Sequence, residues 1–290
     1  MEINCMLDKN KRYLITGAAG FLGEALLERL EDLGITNLVT VSRNEGNLVE
    51  IAQKFPFLEI IPGDISNPHC LYKGLKDVSG VFHLAAFKHV GLAETHVREC
   101  VSSNTVGSMN LLDMTLDKKL DFIIGISTDK AAQVVGVYGA TKLLMEGLFR
   151  ECEQLNPKTK YRIVRYGNVL YSTGSVLCKW KNLLSEGKEV IVTDLDATRF
   201  FWSREQAIDL IFSCLKNAED TTPYCPDMKS MKIGDMLQAM SNKYLPEGGE
   251  LKIRTIGLQP GENLHEKILE EGPYSNEVEM YSISEIEDLI

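Results

Sequence analysis

The eight residues TGAAGFLG, 16–23, constrain the fold more than any other stretch of the chain. They join a short apolar run, YLIT at 13–16, to a helical pattern that runs from Phe21 through Leu26, Leu27, Leu30 and Leu33. Gly17, Gly20 and Gly23 permit a tight turn and let a ligand approach the backbone closely. A helix that begins right after such a turn offers free N–H groups and the positive end of its dipole. Strand, glycine turn and helix in this order predict a βα unit that holds the pyrophosphate of a dinucleotide. Ala19, Phe21 and Leu22 of the same turn are expected beside that cofactor.

The rest of the chain repeats the alternation. NLVTVS (37–42), LEIIPGD (58–64), VFHLAA (81–86), FIIGIST (122–128) and RIVRYGNV (162–169) read as further strands. Helical stretches separate them, a long one from about Ala93 to Leu116 and another starting near Val137. Apolar strands alternating with helices predict an α/β fold of the Rossmann type, a doubly wound parallel sheet covered on both faces. With 290 residues and 44% apolar content, the chain can build such a core. Residues 1–170 are expected to form the nucleotide-binding domain. Residues 171–290 are expected to form a smaller substrate-binding part, able to return elements to the main sheet. In that part SVLCKWKNLLSEG reads as a helix, EVIVTD as a strand, and SREQAIDLIFSCLKN as a helix capped by Ser203.

Composition narrows the function. A net charge of −10 argues against broad nucleic-acid or anionic-membrane binding, but leaves room for an anionic small ligand. The seven cysteines, Cys5, Cys70, Cys100, Cys152, Cys178, Cys214 and Cys225, are widely spaced and include no CxxC. They read as reduced thiols of a cytoplasmic protein, with neither a disulfide framework nor a metal site. The start, MEINCMLDKNKRYLITG, lacks a signal-peptide pattern, and no 18-residue apolar run follows.

The second strand ends in Ser42, Arg43 and Asn44, where a site for NAD places an acid on the ribose 2′-hydroxyl. A cation beside a hydroxyl suits a 2′-phosphate, so NADP is expected over NAD. Asp64, with Ile65, follows the third strand and is placed to meet the adenine. Ala85 and Ala86 end the fourth strand on the ligand side, and Lys88 just beyond them can meet cofactor or substrate.

The segment STDKAAQVVGVYGATK, 127–142, carries the chemistry. Tyr138 and Lys142 stand four apart and share one helix face. A phenol titrates near ~10, and a lysine one turn away favours its ionised form. Ser127 or Thr128 can hydrogen-bond a substrate hydroxyl beside it. Such a set removes a proton from an alcohol while hydride passes to a nicotinamide. It has no need of the second pair, Asp129 and Lys130.

TGxxGxxG with YxxxK resembles the extended short-chain dehydrogenase/reductase superfamily. FHLAAFKHV (82–90), STDKAAQVVGVYGATK, RYGNV (165–169), TRFF (198–201) and PGENLHEKI (260–268) carry the likeness further. Together they are similar to the inverting UDP-N-acetylglucosamine 4,6-dehydratases, over residues 12 to about 285. The resemblance implies roles for both pairs. Tyr138 takes the C4 hydroxyl proton as the C4 hydride goes to NADP. Lys130 is the base at C5 and Asp129 the acid for the C6 hydroxyl. Hydride then returns to C6, and C5 is reprotonated from the opposite face. Lys130 must be neutral to act, which burial and nearby Lys142 are expected to promote. Asp129 must carry a proton, which burial favours and the Lys130 cation opposes, so the two titrate as one unit.

Asn104, on the long helix, is a candidate to brace the Tyr/Lys site at the cofactor, and Asn168, after the sixth strand, to meet the nucleotide sugar. A guanidinium fork suits phosphate, so Arg199 is a candidate for the UDP diphosphate, with a structural salt bridge as its rival role. Glu262 is a candidate for the uridine ribose, with a turn carboxylate as its rival role; His89, His265 and Glu266 carry less weight. The implied product is a UDP-2-acetamido-2,6-dideoxy-L-hexos-4-ulose for glycan synthesis. The implied partners are a UDP-sugar and a second copy of the chain, met through the helices near 93–116 and 137–155. A UDP-sugar 4-epimerase or 4-keto reductase is the alternative enzyme, and a non-catalytic NADP-binding regulator the alternative of another class.

Overall fold

The computed structural model describes residues 7–290; Cys5 lies outside the described residues. Six strands form the main sheet: β1 (Tyr13–Thr16), β2 (Leu38–Ser42), β3 (Leu58–Pro62), β4 (Gly80–His83), β5 (Phe122–Thr128) and β6 (Lys160–Tyr166). Their order is β3-β2-β1-β4-β5-β6 and every pairing is parallel. Between them run α1 (Phe21–Asp32), α2 (Glu45–Lys54), α3 (Pro68–Gly74), α4 (Val90–Ala93), α5 (Val97–Val101), α6 (Gly107–Asp113) and α7 (Val137–Leu155).

Side chains alternate across a strand, so neighbours in β1 serve different cores. Tyr13 and Ile15 pack with Leu26, Leu27 and Leu30 of α1. Leu14, between them, packs with Leu71 of α3, Leu111 of α6 and Phe149 of α7 on the other face. Burial on both faces is why YLIT is a continuous apolar run and not an alternating one.

The expected long helix from about Ala93 to Leu116 is broken. α4 stops at Ala93, α5 starts at Val97, and Ser102–Val106 form a single wide π turn before α6. The wide turn brings Asn104 wholly inside, where it serves other segments than its own helix.

The expected strand 162–169 is also divided. β6 ends at Tyr166 and the chain crosses at Gly167 to a second sheet. A side chain at Gly167 would put Cβ 2.5 Å from the Phe200 carbonyl oxygen, so only glycine fits the crossing. There β7 (Asn168–Val169) pairs with β9 (Thr198–Trp202), and β9 with β10 (Ser230–Lys232). α8 (Val176–Ser185) and β8 (Val190–Val192) precede β9; α9 (Arg204–Asn217) follows it. After β10 come α10 (Ile233–Tyr244), β11 (Ile253–Thr255), which pairs with β8, and α11 (Ile283–Leu289). Leu177, Trp180, Phe201, Met236 and Ile286 make a third core.

α9 starts as its sequence foretells. Ser203 and Gln206 form a reciprocal capping box. The helix then turns back, and Ile208, Ile211 and Phe212 join the core under α1. The second part of the chain thus supplies one helix to the main sheet.

Candidate active site

A cleft of about 640 Å³ opens along the carboxyl ends of the main-sheet strands. This is where a doubly wound sheet binds ligands, at the reversal between β1 and β4. Gly17 has φ +76, and a Cβ there would lie 2.8 Å from the Ala85 backbone. A Cβ on Gly23 would meet the Gly17 carbonyl at 2.4 Å, so α1 starts hard against the turn. Gly20, at the N-cap, gives the first turn no side-chain partner. Bare backbone, a positive helix end and the walls of Ala19, Phe21, Leu22, Ala85 and Ala86 fit a dinucleotide.

At the far end Ser42, Arg43, Asn44 and Ile65 line the cleft. Asn44 also caps α2, accepting from the Asn47 N–H. Asp64 stands behind them. One carboxylate oxygen is 3.3 Å from the Arg43 guanidinium and the other accepts from the Ser66 N–H at 2.8 Å.

The chemical end is built from the last residues of β5, a 3₁₀ turn at Asp129–Ala131, and α7. The Thr128 hydroxyl donates to Asp129 Oδ1 at 2.9 Å and accepts from the Lys130 N–H at 3.4 Å. Both Asp129 oxygens accept from Lys130 Nζ, at 2.9 and 3.0 Å. A Cβ on Gly139 would meet the Lys130 carbonyl at 2.2 Å, so the glycine of YGATK locks α7 against the Asp-Lys turn. The two pairs therefore meet at one corner, with Ser127, Thr128, Lys130, Tyr138 and Lys142 in the cleft wall and Asp129 wholly buried outside the lining.

Lys142 Nζ donates to the Ile126 carbonyl at 2.7 Å. Burial lowers its pKa to about 8, against the pull of Glu146. Burial raises the Tyr138 phenol, the nearby Thr128 hydroxyl opposes the rise and Asp129 adds to it. The expected Lys142-stabilised phenolate is thus not the resting state: the Lys142 ammonium is held by a backbone carbonyl one strand residue short of Ser127. The expectation for Lys130 is corrected too. Burial pushes its ammonium down, but Asp129 and Glu266 outweigh burial and the net shift is upward. The cation that opposes them is Arg199, not Lys142.

Other sequence candidates fall in distinct places. Lys88, His89 and Asn168 line the cleft, and Lys88 Nζ donates to the Thr173 carbonyl across its mouth at 2.9 Å. Asn104 sits behind the wall. It accepts from the Phe87 N–H at 2.7 Å and donates to the Phe87 carbonyl and to Thr141, so it braces the strand-to-helix corner. Arg199 donates to the carbonyls of Thr198 and Leu264 and faces Glu266 at 3.9 Å, outside the cleft wall. Glu262 closes a turn, accepting from the Gln259 N–H. His265 pairs with Thr198.

Three site residues escaped the sequence reading. Glu146 extends the α7 stripe of Tyr138 and Lys142 by one turn, a spacing that could have found it. Its carboxylate is held by the Ser127 hydroxyl at 2.5 Å and by Arg165. Arg165 was visible within RYGNV but has no local partner. Glu94 accepts from the Val137 N–H at 2.7 Å and so holds the start of α7; nothing in its own segment announces this.

The chain is similar to known proteins. The UDP-N-acetylglucosamine 4,6-dehydratase (inverting) of Campylobacter jejuni serotype O:2 is 35% identical over 88% of this chain and 76% of its own. The X-ray structure of Pen from Bacillus thuringiensis superposes with a TM-score of 0.89, at 27% identity, over 96% of each chain. A UDP-glucuronic acid 4-epimerase from Bacillus cereus, solved with UDP-glucuronic acid and NAD, shares the fold at a TM-score of 0.78 and 21% identity, over 96% of this chain and 92% of that one. The family described as polysaccharide biosynthesis protein matches residues 13–288. The chain belongs to that family, within the extended short-chain dehydrogenases/reductases.

Proposed function

We propose that the protein is an inverting UDP-N-acetylglucosamine 4,6-dehydratase that uses NADP. The observation that carries the reading is the Asp129-Lys130 pair set on the same cleft corner as Thr128 and Tyr138. An oxidation at C4 uses only the tyrosine and its partners. A second acid and base beside them suit removal of water across C5 and C6.

The glycine turn and the first turn of α1 hold the pyrophosphate, with Ser42 and Arg43 at the 2′-phosphate. When bound, the nicotinamide supplies a hydride acceptor for C4 and a hydride donor for C6. Tyr138 acts from its phenolate form, its own proton given up to solvent first, and then takes the C4 hydroxyl proton. The C4 ketone acidifies the C5 proton, which Lys130 removes. The proton that Asp129 gives to the leaving C6 hydroxyl comes from the Lys130 ammonium across their 2.9 Å hydrogen bond, a transfer that also leaves Lys130 the neutral amine it must be. Lys88 and Asn168, in the cleft wall, orient the nucleotide sugar. The part of the chain after residue 170 supplies the rest of the substrate site.

A 4-epimerase on the same fold gives the Asp129-Lys130 pair nothing to do. Among the described residues no helix is long and apolar enough to cross a membrane. Proton NMR of the protein with UDP-N-acetylglucosamine and NADP in D₂O tests the reading. A C6 methyl signal with deuterium at C5 and L-type couplings is expected. A C6 hydroxymethyl left intact after C4 epimerisation would overturn it.

A further inference from the structure

Tyr138 stands in the first turn of α7, and that turn has no cap of its own. Its N-cap is Gly136, in extended backbone, with no side chain to accept from the N–H groups that open the helix. The cap comes from another segment. Glu94, the residue that ends α4, accepts from the Val137 N–H at 2.7 Å. Its carboxylate also faces the positive end of the α7 dipole.

Two glycines make room for that carboxylate. A Cβ on Gly136 would lie 2.5 Å from Glu94 Oε1 and 3.0 Å from the Gly261 Cα. A Cβ on Gly261, where φ is +82, would lie 3.4 Å from the same oxygen. Three segments thus meet at one oxygen: the corner after β4, the start of α7, and the turn that Glu262 closes. Further along, α7 has other anchors. Gly139 rests on the Lys130 carbonyl, Lys142 donates to the Ile126 carbonyl, and Glu146 pairs with Arg165. The start of the turn that carries Tyr138 lies ahead of them all, and Glu94 holds it.

We propose that Glu94 is a positioning residue for the oxidation at C4: by holding the Val137 N–H, it sets where the Tyr138 oxygen meets the substrate hydroxyl. The inference rests on the alcohol oxidation in the reading above and not on the elimination. Glu94 is not part of the cleft wall, so it acts through the helix and not on the reacting atoms. A reacting pair displaced by about 1 Å loses on the order of 100-fold in rate.

The test is single turnover with UDP-N-acetylglucosamine and NADP. Reduced-nicotinamide absorbance at saturating sugar reads C4 oxidation, and calorimetric titration reads NADP binding. Glu94→Ala is expected to slow C4 oxidation by about 10-fold to 100-fold. Its NADP affinity should stay within about threefold, because the glycine turn and the Arg43 corner still hold the cofactor. Glu94→Gln keeps an oxygen for the Val137 N–H and should stay within about threefold of the wild-type rate. Gly136→Ala pushes the carboxylate away without removing it. It should slow C4 oxidation as Glu94→Ala does, and add little when the two are combined. A cap that only stabilised the fold would ease unfolding and leave the saturated rate alone. An unchanged rate in Glu94→Ala, a glutamine variant as slow as the alanine one, additive losses in the double variant, or an equal loss of NADP affinity would overturn the proposal. A wild type inactive on UDP-N-acetylglucosamine and on other UDP-sugars would overturn the oxidation reading, and this inference with it.

Discussion

Arg165 grips Glu146 with two hydrogen bonds, 2.7 Å from Nε and 2.6 Å from Nη2, and both side chains are wholly inside the protein. The pair joins β6 to α7 one helical turn beyond Lys142; the Ser127 hydroxyl also holds Glu146, and Glu270 and the Ile268 carbonyl also hold Arg165. Removing Arg165 strands the buried Glu146 charge. Arg165→Met is expected to cost about 3–5 kcal/mol in urea unfolding. The double variant Arg165→Met/Glu146→Met should recover much of that loss. A single variant as stable as the wild type would show that the pair does not support the site.

Lys130→Ala separates the two halves of the reaction. C6-methyl product should fall by about 10²–10⁴-fold, while C4 oxidation, read as reduced-nicotinamide absorbance, persists. If product formation survives, the base at C5 lies elsewhere.

The depressed Lys142 makes a pH prediction. Its pKa moves from 10.5 to about 8 because burial penalises the charged form. Between those values the unfolded chain binds the proton and the native one does not, so stability gains as pH rises from 8 to 10.5. Below pH 8 both states are protonated and the cost of the buried ammonium is fully present. Wild type and Lys142→Met, compared by urea unfolding across this window, should therefore converge by about 3 kcal/mol. A constant gap would refute the shift. Using the difference between the two proteins cancels the cysteines and tyrosines that titrate at the same pH.

Cofactor choice is tested at Arg43. Its pairing with Asp64 is half exposed and worth little, so the guanidinium is available to a phosphate. Arg43→Ala should weaken NADP by about 10-fold to 100-fold, the value of a charge-assisted hydrogen bond, and leave NAD nearly unchanged. Calorimetric titration with each cofactor decides it. Equal effects on both would remove Arg43 from the 2′-phosphate.

Self-association is tested on α7, where Leu144 is 57% exposed and Leu143 42%. The neighbouring α5 and α6 expose Val97 and Met109. Leu144→Lys should shift the sedimentation of an associated protein toward the monomer. A wild type that already sediments as a monomer would sink this expectation.

What the sequence disclosed follows from what a sequence can encode locally. The glycine turn, Ser203 with Gln206, and Tyr138 with Lys142 are short-range patterns, and each lies where its spacing places it. Groups whose surroundings come from distant segments were harder to read. Arg199 reads as a phosphate ligand in isolation, but the Thr198 and Leu264 carbonyls hold its Nη1 and it stands outside the cleft wall. Glu262 closes its own turn, one of the two roles its segment offered. Glu266 drew little weight, because its meaning comes only from meeting Lys130, far back along the chain. The broken helix at Ser102–Val106 escaped for the same reason: the demand on Asn104 comes from Phe87 and Thr141.

Gly139 gives the site a molecular caliper. Its missing methyl group allows the Lys130 carbonyl to rest on α7, at a distance no other residue could tolerate. The gap between Tyr138 and the Asp129-Lys130 pair is thus set by an atom that is not there. A single codon, lying between Tyr138 and Lys142 and carrying no functional group itself, fixes how near the Asp-Lys turn can stand to the tyrosine's helix.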